Sequence, residues 1–341
     1  MEGDYNSILE MLSPKENSPA DLIDRKVENL HRLIIERLPK SGESLASAAH
    51  HHFKAPGKML RGKMALCAAR SLKIDPAAAL HWAVAIEVLH NASLIHDDIC
   101  DGDNLRRGRP SVWSKFGCNV ALTLGDWLIA LAFELAAEAG QRAQTPLLVK
   151  ILAQHMATTT AGVAAEFSSQ SIITWDSYLD IAADKTAPLL TAPLEGVAAM
   201  ALHVNAAAAI GVYFRSLGAA YQIANDILNF RALDGAADCG SDLARRAPNA
   251  VIVLYRAELS DGCGAAFDAW FAGGSNVGLH EWQRNVLASD ALAQSAHQMH
   301  RVLAQTERFA QQLPGGLAEV ISPVQAMLKQ VCLKSVAPVN C

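Results

Sequence analysis

The stretch from Glu87 to Pro110 constrains this chain most, because an apolar segment there ends in a run of carboxylates. The segment from Trp82 to Ile95 is mostly apolar and has neither Pro nor Gly, which predicts a buried helix. Asp97 and Asp101, with Asp98 between them, lie four positions apart and share one face of a helix of about 3.6 residues per turn. Like charges on one face repel unless a cation lies between them, so the spacing indicates a site for a hard divalent ion such as Mg²⁺.

Three arginines follow the carboxylates within a few residues. Arg106, Arg107 and Arg109 supply planar cationic groups whose geometry suits phosphate. Carboxylates for a metal, followed by arginines for phosphate, indicate a diphosphate that is bound through metal. The plain alternative is a solvated helix end and a surface loop, which is what an acidic cluster on its own usually means.

The composition favours helix throughout the chain and a sizeable core. The 341 residues are 51% hydrophobic and only 18% charged, with a mean hydropathy of +0.15. Ala and Leu dominate, and β-branched runs are short, which predicts an all-α fold. One of the predicted helices is a long apolar helix over residues 111–140. The net charge of −5 gives no electrostatic reason to expect nucleic acid as a partner.

The ends and the cysteines predict a cytoplasmic protein. The seven cysteines are odd in number and include no CxxC pair, which is typical of reduced thiols. The N-terminus lacks the basic start and apolar core of a signal peptide, and no uncharged apolar run reaches the roughly 18 residues of a membrane span. Residues 1–19 mix polar residues with Pro14 and Pro19, so we interpret them as a flexible arm before one helical domain over 20–341.

A second cationic segment precedes the long helix. Pro56 and Gly57 break the chain, and Lys58 and Arg61 then stand three positions apart at the start of a helix. Cations there oppose the helix dipole, so this placement makes sense if an anionic ligand binds at the same terminus; the alternative is two solvated side chains. The preceding run His50–His52 has no acidic or cysteine partner at ligand spacing, so it does not indicate a metal site.

Two further candidates depend on helix geometry. Lys185 and Thr186 lie immediately before the interruption at Pro188, which puts a lysine and a hydroxyl at a helix break where a phosphate could bind. His90 lies seven residues before Asp97, about two turns away on the same side of the predicted helix. By itself, a lone helical histidine is more often a packed core residue.

The sequence around these residues resembles that of the trans-isoprenyl diphosphate synthase family. LIHDDICDGDNLRRGRPSVW is similar to the first aspartate-rich motif of that family, DDxxD followed by RRGxP. GKMLRGKMAL is similar to its GKxxRP segment, with Gly62 in place of the proline, and KTAPLL is similar to its KT pair. The resemblance covers most of the chain, roughly from Lys26 to Ala257.

This resemblance implies a fold and an activity. The fold is the all-α isoprenoid synthase bundle, with long antiparallel helices around a deep central apolar cavity. The activity is that of a Mg²⁺-dependent prenyltransferase, which condenses isopentenyl diphosphate with an allylic prenyl diphosphate, and the family also implies a homodimer. Asp97, Asp98 and Asp101 would hold Mg²⁺, two to three ions in all, against the substrate diphosphate as it leaves.

The matching motifs also imply which residues contact the substrates. Those that would position isopentenyl diphosphate are Lys58, Arg61, His90 and Arg107. Those that would bind the allylic diphosphate are Arg106 and Lys185, and Thr186 and Gln222 are further substrate-binding residues. Lys185 joins the three aspartates as a catalytic residue.

The second aspartate-rich motif of the family is degenerate in this chain. AYQIANDILNFRALDGAADCGSDLARRAP is similar to FQxxDDxxD followed by GSDLxxGKxT. Gln222, Asn225 and Asn229 share one helical face, but the two asparagines replace the first and last acids, so Asp226 is the one carboxylate left. An amide oxygen brings no charge to a metal, so the affinity for a third ion at Asn225, Asp226 and Asn229 should fall.

Two alternatives to elongation stay open. NDILNFRAL begins like the NDxxSxxxE motif of class I terpene cyclases, although Asn229 replaces the serine and Leu233 the glutamate. The loss of aspartates is also compatible with a weakly active or non-catalytic subunit, although Arg245 or Arg246 could replace the charge of the lysine lost from the second motif. The segment at Lys58 favours elongation, because a cyclase needs no site for isopentenyl diphosphate.

The helix turn before the aspartates predicts product length. In the family a bulky aromatic residue there closes the floor of the cavity. Here Ala92 and Ser93 are both small, which predicts a geranylgeranyl or longer product.

Overall fold

The computed structural model describes residues 19–55, 57–168, 173–203, 205–232, 239–313 and 315–336. Those residues form sixteen α-helices and one two-stranded antiparallel ribbon, which confirms the all-α prediction. The helices are α1 (Pro19–Arg37), α2 (Ala46–Phe53), α3 (Leu60–Ser71), α4 (Pro76–Asp101), α5 (Val112–Phe116), α6 (Cys118–Arg142), α7 (Leu147–Ser168), α8 (Trp175–Thr186), α9 (Pro188–Met200), α10 (Ala206–Phe230), α11 (Ser241–Arg245), α12 (Ala250–Glu258), α13 (Asp261–Ala272), α14 (Leu279–Ala288), α15 (Ala291–Ala310) and α16 (Gly315–Val336).

The chain divides into two compact units. One spans Met1–Cys67 and Ala83–Leu135, and the other spans Ala68–Trp82 and Ala136–Cys341. The predicted flexible arm, apart from Pro19, lies outside the described residues, and a single domain over 20–341 stays a prediction.

The core of the first unit is built from helices with regularly spaced apolar side chains. Leu30, Ile34 and Leu38 recur every four residues at α1 and are all buried. Helix α4 begins after Asp75, whose carboxylate caps it by accepting the N–H of Ala78 at 2.8 Å. Most of α4 from residue 82 onward is buried, as its apolar sequence predicts, and it delivers the aspartates at its C-terminal end.

A short ribbon follows α4, in a segment where no strand was predicted. Its strands are β1 (Leu105–Arg106) and β2 (Arg109–Pro110). Arg107 and Gly108 form the two-residue turn with φ of 55° and 71°, the positive pair that lets a tight hairpin match the twist of its strands. The prediction of one helix over 111–140 was wrong, because the chain breaks at Gly117, where φ is 92°.

Helix α10 is the centre of the second unit. It packs against α8, α9, α12, α15 and α16, and its buried face includes Tyr213 and Phe214. Trp82 donates its indole N–H to the carbonyl of Pro193 at 3.2 Å, and a side chain at Gly196 would overlap the Trp82 ring. This close approach fixes α9 within the unit.

Two helices, α4 and α6, are long and apolar enough to cross a membrane by length and composition alone. The most apolar window of α4 is 78% buried and that of α6 is 44% buried. Core helices of soluble proteins meet the same criterion, so this is weak evidence for a span. No disulfide joins the six cysteines that the structure describes.

Candidate active site

The first carboxylate cluster occupies the C-terminal end of α4. Asp98 is only 1% exposed, and its Oδ1 accepts two hydrogen bonds from Arg106, the one from Nε measuring 2.6 Å. The Oδ2 of Asp98 is buried and accepts a hydrogen bond from no residue that the structure describes. Asp97 and Asp101 are half-buried beside it. Carboxylates at this end of a helix oppose its dipole, so the arrangement favours a bound cation.

The electrostatics of this cluster are those of a partly desolvated ion pair. Burial raises the pKa of Asp98, and the Arg106 guanidinium acts in the opposite direction. Arg106 also lies 3.4 Å from the exposed Asp103. The pair therefore holds the guanidinium beside the aspartates while one Asp98 oxygen stays available.

The hairpin turn folds the Arg107 side chain back over Gly57. Its guanidinium donates to the carbonyl of Ala55, and a Cβ added at Gly57 would lie 2.7 Å from the Arg107 Cζ. Gly57 also has φ +74°, so its backbone favours glycine, and a side chain there would displace the Arg107 guanidinium. The GK and RRG segments, which are about 50 residues apart in sequence, therefore meet in one unit.

Gly62, the departure from the family's proline, has a clear structural reason. Its N–H donates to Oε1 of Glu87 at 2.8 Å, a bond that proline cannot make. A side chain at this position would also overlap the buried Leu30. Burial raises the pKa of Glu87, which is 2% exposed, while the Gly62 bond and the charges of Arg61 and Arg107 lower it.

Sequence reasoning missed Glu87. The signal that could have found it is a lone carboxylate inside an otherwise apolar helical segment, because such a group must have partners.

The residues predicted to bind isopentenyl diphosphate all belong to the first unit. Lys58 is exposed just before α3, and Arg61 is half-buried in the first turn of α3. Burial, together with the charges of Arg61 and Arg107, lowers the pKa of His90 well below its ordinary value. His90 is therefore a neutral imidazole at pH 7, near two guanidinium groups.

Two residues of the histidine run connect α2 to its surroundings. His51 bonds to the carbonyl of Pro110 through Nε2 at 2.8 Å, and its Nδ1 lies 3.3 Å from the Arg109 guanidinium and 3.2 Å from the Lys115 ammonium. His52 is buried and bonds to Asn91 at 2.9 Å, and burial lowers its pKa to about 4. These contacts hold α2 against the hairpin and against α4.

Among the described residues, no group of three or more His, Cys, Asp or Glu side chains converges closely enough to hold a metal by itself. Mg²⁺ does not need such a group, because it is usually held by one or two carboxylates plus substrate phosphates. The Asp98 Oδ2 atom, which lies between two half-buried carboxylates, fits a Mg²⁺ site that the substrate phosphates complete.

Lys185 and Thr186 are the last two residues of α8, in the second unit. A single residue separates them from Pro188, where α9 begins. The predicted helix break is thereby confirmed. The Lys185 ammonium donates to Oε2 of Glu166 on α7 at 2.6 Å, and a Cβ added at Gly162 would lie 2.7 Å from the Lys185 backbone nitrogen. Glu166 therefore orients the lysine, and Gly162 lets α7 approach the helix break.

The residues of the second motif differ sharply in their surroundings. Asp226 is 2% exposed and accepts hydrogen bonds from Tyr178, Gln222 and the backbone N–H of Ala250. Burial raises the pKa of Asp226 to about 8. Asn229 is also buried, whereas Asn225 is half-buried.

The two arginines considered as replacements for the lost lysine both contact protein groups. Arg245 forms an ion pair with Asp242 at 2.6 Å. Arg246 has its guanidinium 3.5 Å from the centre of the Trp270 ring and donates to the carbonyls of Leu243 and Ser275. Cation–π contacts of this kind stabilise a fold, so in this structure Arg246 fastens α11 to the aromatic side chains of α13.

Comparisons with known proteins agree with this architecture. The chain is 33% identical over 190 residues to a short chain isoprenyl diphosphate synthase from Methanothermobacter thermautotrophicus. The matched residues make up 55% of this chain and 58% of that protein. The match therefore spans less than two thirds of this curated relative.

Two solved structures share the fold over nearly their whole length. A decaprenyl diphosphate synthase from Rhodobacter capsulatus has a TM-score of 0.80 at 23% identity, with 93% of this chain and 98% of that chain covered. A polyprenyl synthase from Caulobacter crescentus, complexed with calcium and isoprenyl diphosphate, has a TM-score of 0.76 at 24% identity, with 95% and 99% covered. These likenesses confirm the predicted isoprenoid synthase fold.

A family model described as polyprenyl synthetase matches residues 42–262. That range includes both aspartate-rich motifs, the GK segment and the KT pair. The chain belongs to the polyprenyl synthetase family.

Proposed function

We propose that this chain is a trans-prenyltransferase that condenses isopentenyl diphosphate with an allylic prenyl diphosphate. The observation that carries the proposal is the end of α4, where Arg106 holds one Asp98 oxygen and the other is buried without a donor among the described residues. A buried carboxylate oxygen without a partner is costly unless a ligand satisfies it. Family membership indicates that this ligand is a metal ion bound to diphosphate.

Mg²⁺ would be held by Asp97, Asp98 and Asp101, and it would supply Lewis-acid stabilisation of the diphosphate. The calcium in the Caulobacter crescentus complex supports a divalent ion in this family. Arg106, oriented by Asp98, would add a fixed cation for the phosphate oxygens.

Lys185, Thr186 and Gln222 are proposed to bind the allylic diphosphate, as their places in the matching motifs imply. The Glu166 contact restrains the Lys185 ammonium before substrate arrives, which lowers the entropy lost on binding. As the allylic C–O bond breaks, positive groups stabilise the charge on the departing diphosphate. The double bond of isopentenyl diphosphate then attacks the allylic cation, and the proton lost from the adduct passes to the diphosphate.

Lys58, Arg61, His90 and Arg107 are proposed to position isopentenyl diphosphate. A neutral His90 can donate one hydrogen bond without adding charge, while the arginines provide the cationic forks. These residues favour elongation over cyclisation, because a terpene synthase has no second diphosphate to bind.

A geranylgeranyl or longer product remains part of the proposal. Ala92 is fully buried, whereas Ser93 is half-buried and donates its hydroxyl to the carbonyl of His90 at 2.8 Å. Of these two small residues, Ser93 is therefore the one that is not fully enclosed by protein, and we propose it as the position at which a larger side chain would shorten the cavity. A ring at the fully buried Ala92 would instead overpack the core.

We also propose a homodimer, in a cytoplasmic setting. Helix α6 supports the dimer, because Leu122 is 51% exposed, and Ile129 and Phe133, which follow on the same helical face, are only half-buried. Contiguous exposed apolar side chains mark interaction surfaces. Light scattering on Leu122→Lys and on the unaltered chain tests this: the variant should be monomeric, and an unaltered chain that is itself monomeric would refute the dimer.

Metal dependence tests the proposed site most simply. Three proteins would be incubated with both diphosphates and Mg²⁺: the unaltered chain, Asp101→Asn and the control Asp176→Asn. Asp176 serves as the control because it is an exposed aspartate at the start of α8. Asp101→Asn should lose about 100-fold or more in product formation, and Asp176→Asn should lose almost none. Equal activity in all three proteins, or equal activity after Mg²⁺ is chelated, would refute the site.

A further inference from the structure

Asp226 is the one carboxylate of the second motif, and both of its oxygens face protein donors. Tyr178 of α8 donates to Oδ2 at 2.6 Å, Gln222 of α10 donates to Oδ1 at 2.9 Å, and the N–H of Ala250 donates to Oδ2 at 2.7 Å. The side chain is 2% exposed. The carboxyl group therefore joins three helices, since the Ala250 N–H is one of the unpaired donors in the first turn of α12.

Asn229 also makes contacts that belong to the fold. Its Nδ2 donates to the Ser241 hydroxyl at 2.8 Å, and its Oδ1 accepts the N–H of Asp242 at 3.3 Å. Its backbone carbonyl accepts the N–H of Gly240 at 3.0 Å. These bonds fasten the end of α10 to the start of α11. An aspartate at this position could accept from the N–H of Asp242 and from the Ser241 hydroxyl, but it would place an unpaired buried charge at the end of α10, which destabilises the fold.

Asn225 is different from both. It is half-buried, and its side chain makes no hydrogen bond to any part of the chain that the structure describes. It is also neutral, so it offers a metal a single carbonyl oxygen where the family has a carboxylate. Of the three predicted metal ligands in this motif, Asn225 is the one whose side chain has no hydrogen-bond partner among the described residues. It could therefore reach a metal ion, but it would bring no charge to it.

We propose that the second motif of this chain is a structural junction that binds no divalent ion, and that every ion enters through the first motif. The inference rests on the proposed function, because it concerns the ions of the same diphosphate chemistry. The nearby charges support it: Asp242, the acidic side chain of the GSD segment, pairs with Arg245 and accepts a hydrogen bond from Asn249 at 2.8 Å. Restoring a carboxylate at Asn225 should create the missing ion site without breaking a fold contact.

The test counts bound Mn²⁺ per chain in the presence of inorganic pyrophosphate, by electron paramagnetic resonance of the free ion. The proteins are the unaltered chain, Asn225→Asp, Asp226→Asn and Asn229→Asp. We expect Asn225→Asp to bind one ion more than the unaltered chain, and Asp226→Asn and Asn229→Asp to bind the same number. The last two variants should instead lose thermal stability.

Because Asp226→Asn could fail to fold, Tyr178→Phe provides a second route to the same group. It removes one donor from Asp226 and leaves the motif intact, so the ion count should stay the same while stability falls. One ion fewer in folded Asp226→Asn or Tyr178→Phe, or no gain in Asn225→Asp, would overturn the inference. If the unaltered chain binds no ion but Asn225→Asp gains one, the first-motif site fails and the proposed function fails with it, and of the inference only the statement that the second motif binds no ion holds.

Discussion

Two buried tyrosines give opposite predictions for the same Tyr→Phe change. Tyr178 donates its hydroxyl proton to Asp226 at 2.6 Å, within the junction of α8, α10 and α12. Tyr213 is equally buried on α10, but its hydroxyl has no hydrogen-bond partner among the residues that the structure describes. Replacing Tyr178 should therefore destabilise the fold, and replacing Tyr213 should not.

The magnitudes follow from what each hydroxyl does. A hydrogen bond to an ionised group contributes about 1.5–3 kcal/mol, so at pH 9, where Asp226 is ionised, Tyr178→Phe should lower the free energy of unfolding by about that amount. A buried hydroxyl without a partner costs about 1–3 kcal/mol, so Tyr213→Phe should be neutral or should raise the free energy of unfolding by about 1 kcal/mol. The two variants should thus differ by roughly 2–4 kcal/mol.

The cost at Tyr178 should also depend on pH. Because burial raises the pKa of Asp226 to about 8, the carboxyl is mostly neutral at pH 6 and mostly ionised at pH 9. The pKa of Tyr178 is raised well above its ordinary value, so its hydroxyl still donates at the higher pH. A bond to a neutral acceptor contributes only about 0.5–1.5 kcal/mol, so the cost of Tyr178→Phe should grow between the two pH values.

Urea unfolding at pH 6 and pH 9 measures these differences. Tyr221→Phe is the control, because this half-buried tyrosine lies on the same helix and makes no hydrogen bond within the described part of the chain. It should change the free energy of unfolding by less than about 0.5 kcal/mol. Equal costs for Tyr178→Phe and Tyr213→Phe, or a cost at Tyr178 that shrinks at pH 9, would refute the reasoning.

Three further predictions concern single side chains. Because the pKa of Asp226 rises from 3.8 to about 8 on folding, the native state keeps a proton that the unfolded chain releases. The free energy of unfolding should therefore fall as pH rises through that window, by at most about 1.4 kcal/mol per pH unit, and Asp226→Asn should flatten the slope in urea titrations. Ser93→Phe should shorten the prenyl product in mass spectra, and an unchanged chain length would count against this floor. Gly57→Ala should displace the Arg107 guanidinium, because an added Cβ would lie 2.7 Å from its Cζ. The KM for isopentenyl diphosphate should then rise about tenfold, roughly the contribution of one hydrogen bond to a charged group, while the KM for the allylic substrate stays nearly unchanged.

The parts of the fold that depend on local sequence could be predicted. The apolar segment of α4 and the spacing of its aspartates follow from helix geometry, as does the break between Lys185 and Pro188. The sequences of the motifs predicted the family, and the match over residues 42–262 confirms it. The roles of individual site residues stay predictions.

Contacts between distant segments could not be predicted from one sequence. Nothing local to Arg107 shows that its side chain folds over Gly57, and nothing local to Gly62 shows that its N–H meets Glu87. The break at Gly117 was missed because the flanking residues favour helix on both sides. The partners of Asn229, likewise, become visible only when α11 is placed beside α10.

The most direct test of the account is whether a longer product needs isopentenyl diphosphate. Purified protein would be incubated with Mg²⁺ and geranyl, farnesyl or geranylgeranyl diphosphate, each with and without isopentenyl diphosphate, and diphosphates and hydrocarbons would be measured by mass spectrometry. We expect a longer prenyl diphosphate that forms only when isopentenyl diphosphate is present. A hydrocarbon or alcohol formed without it would show a terpene synthase, and no product from any substrate would show a non-catalytic subunit; either result would contradict the account.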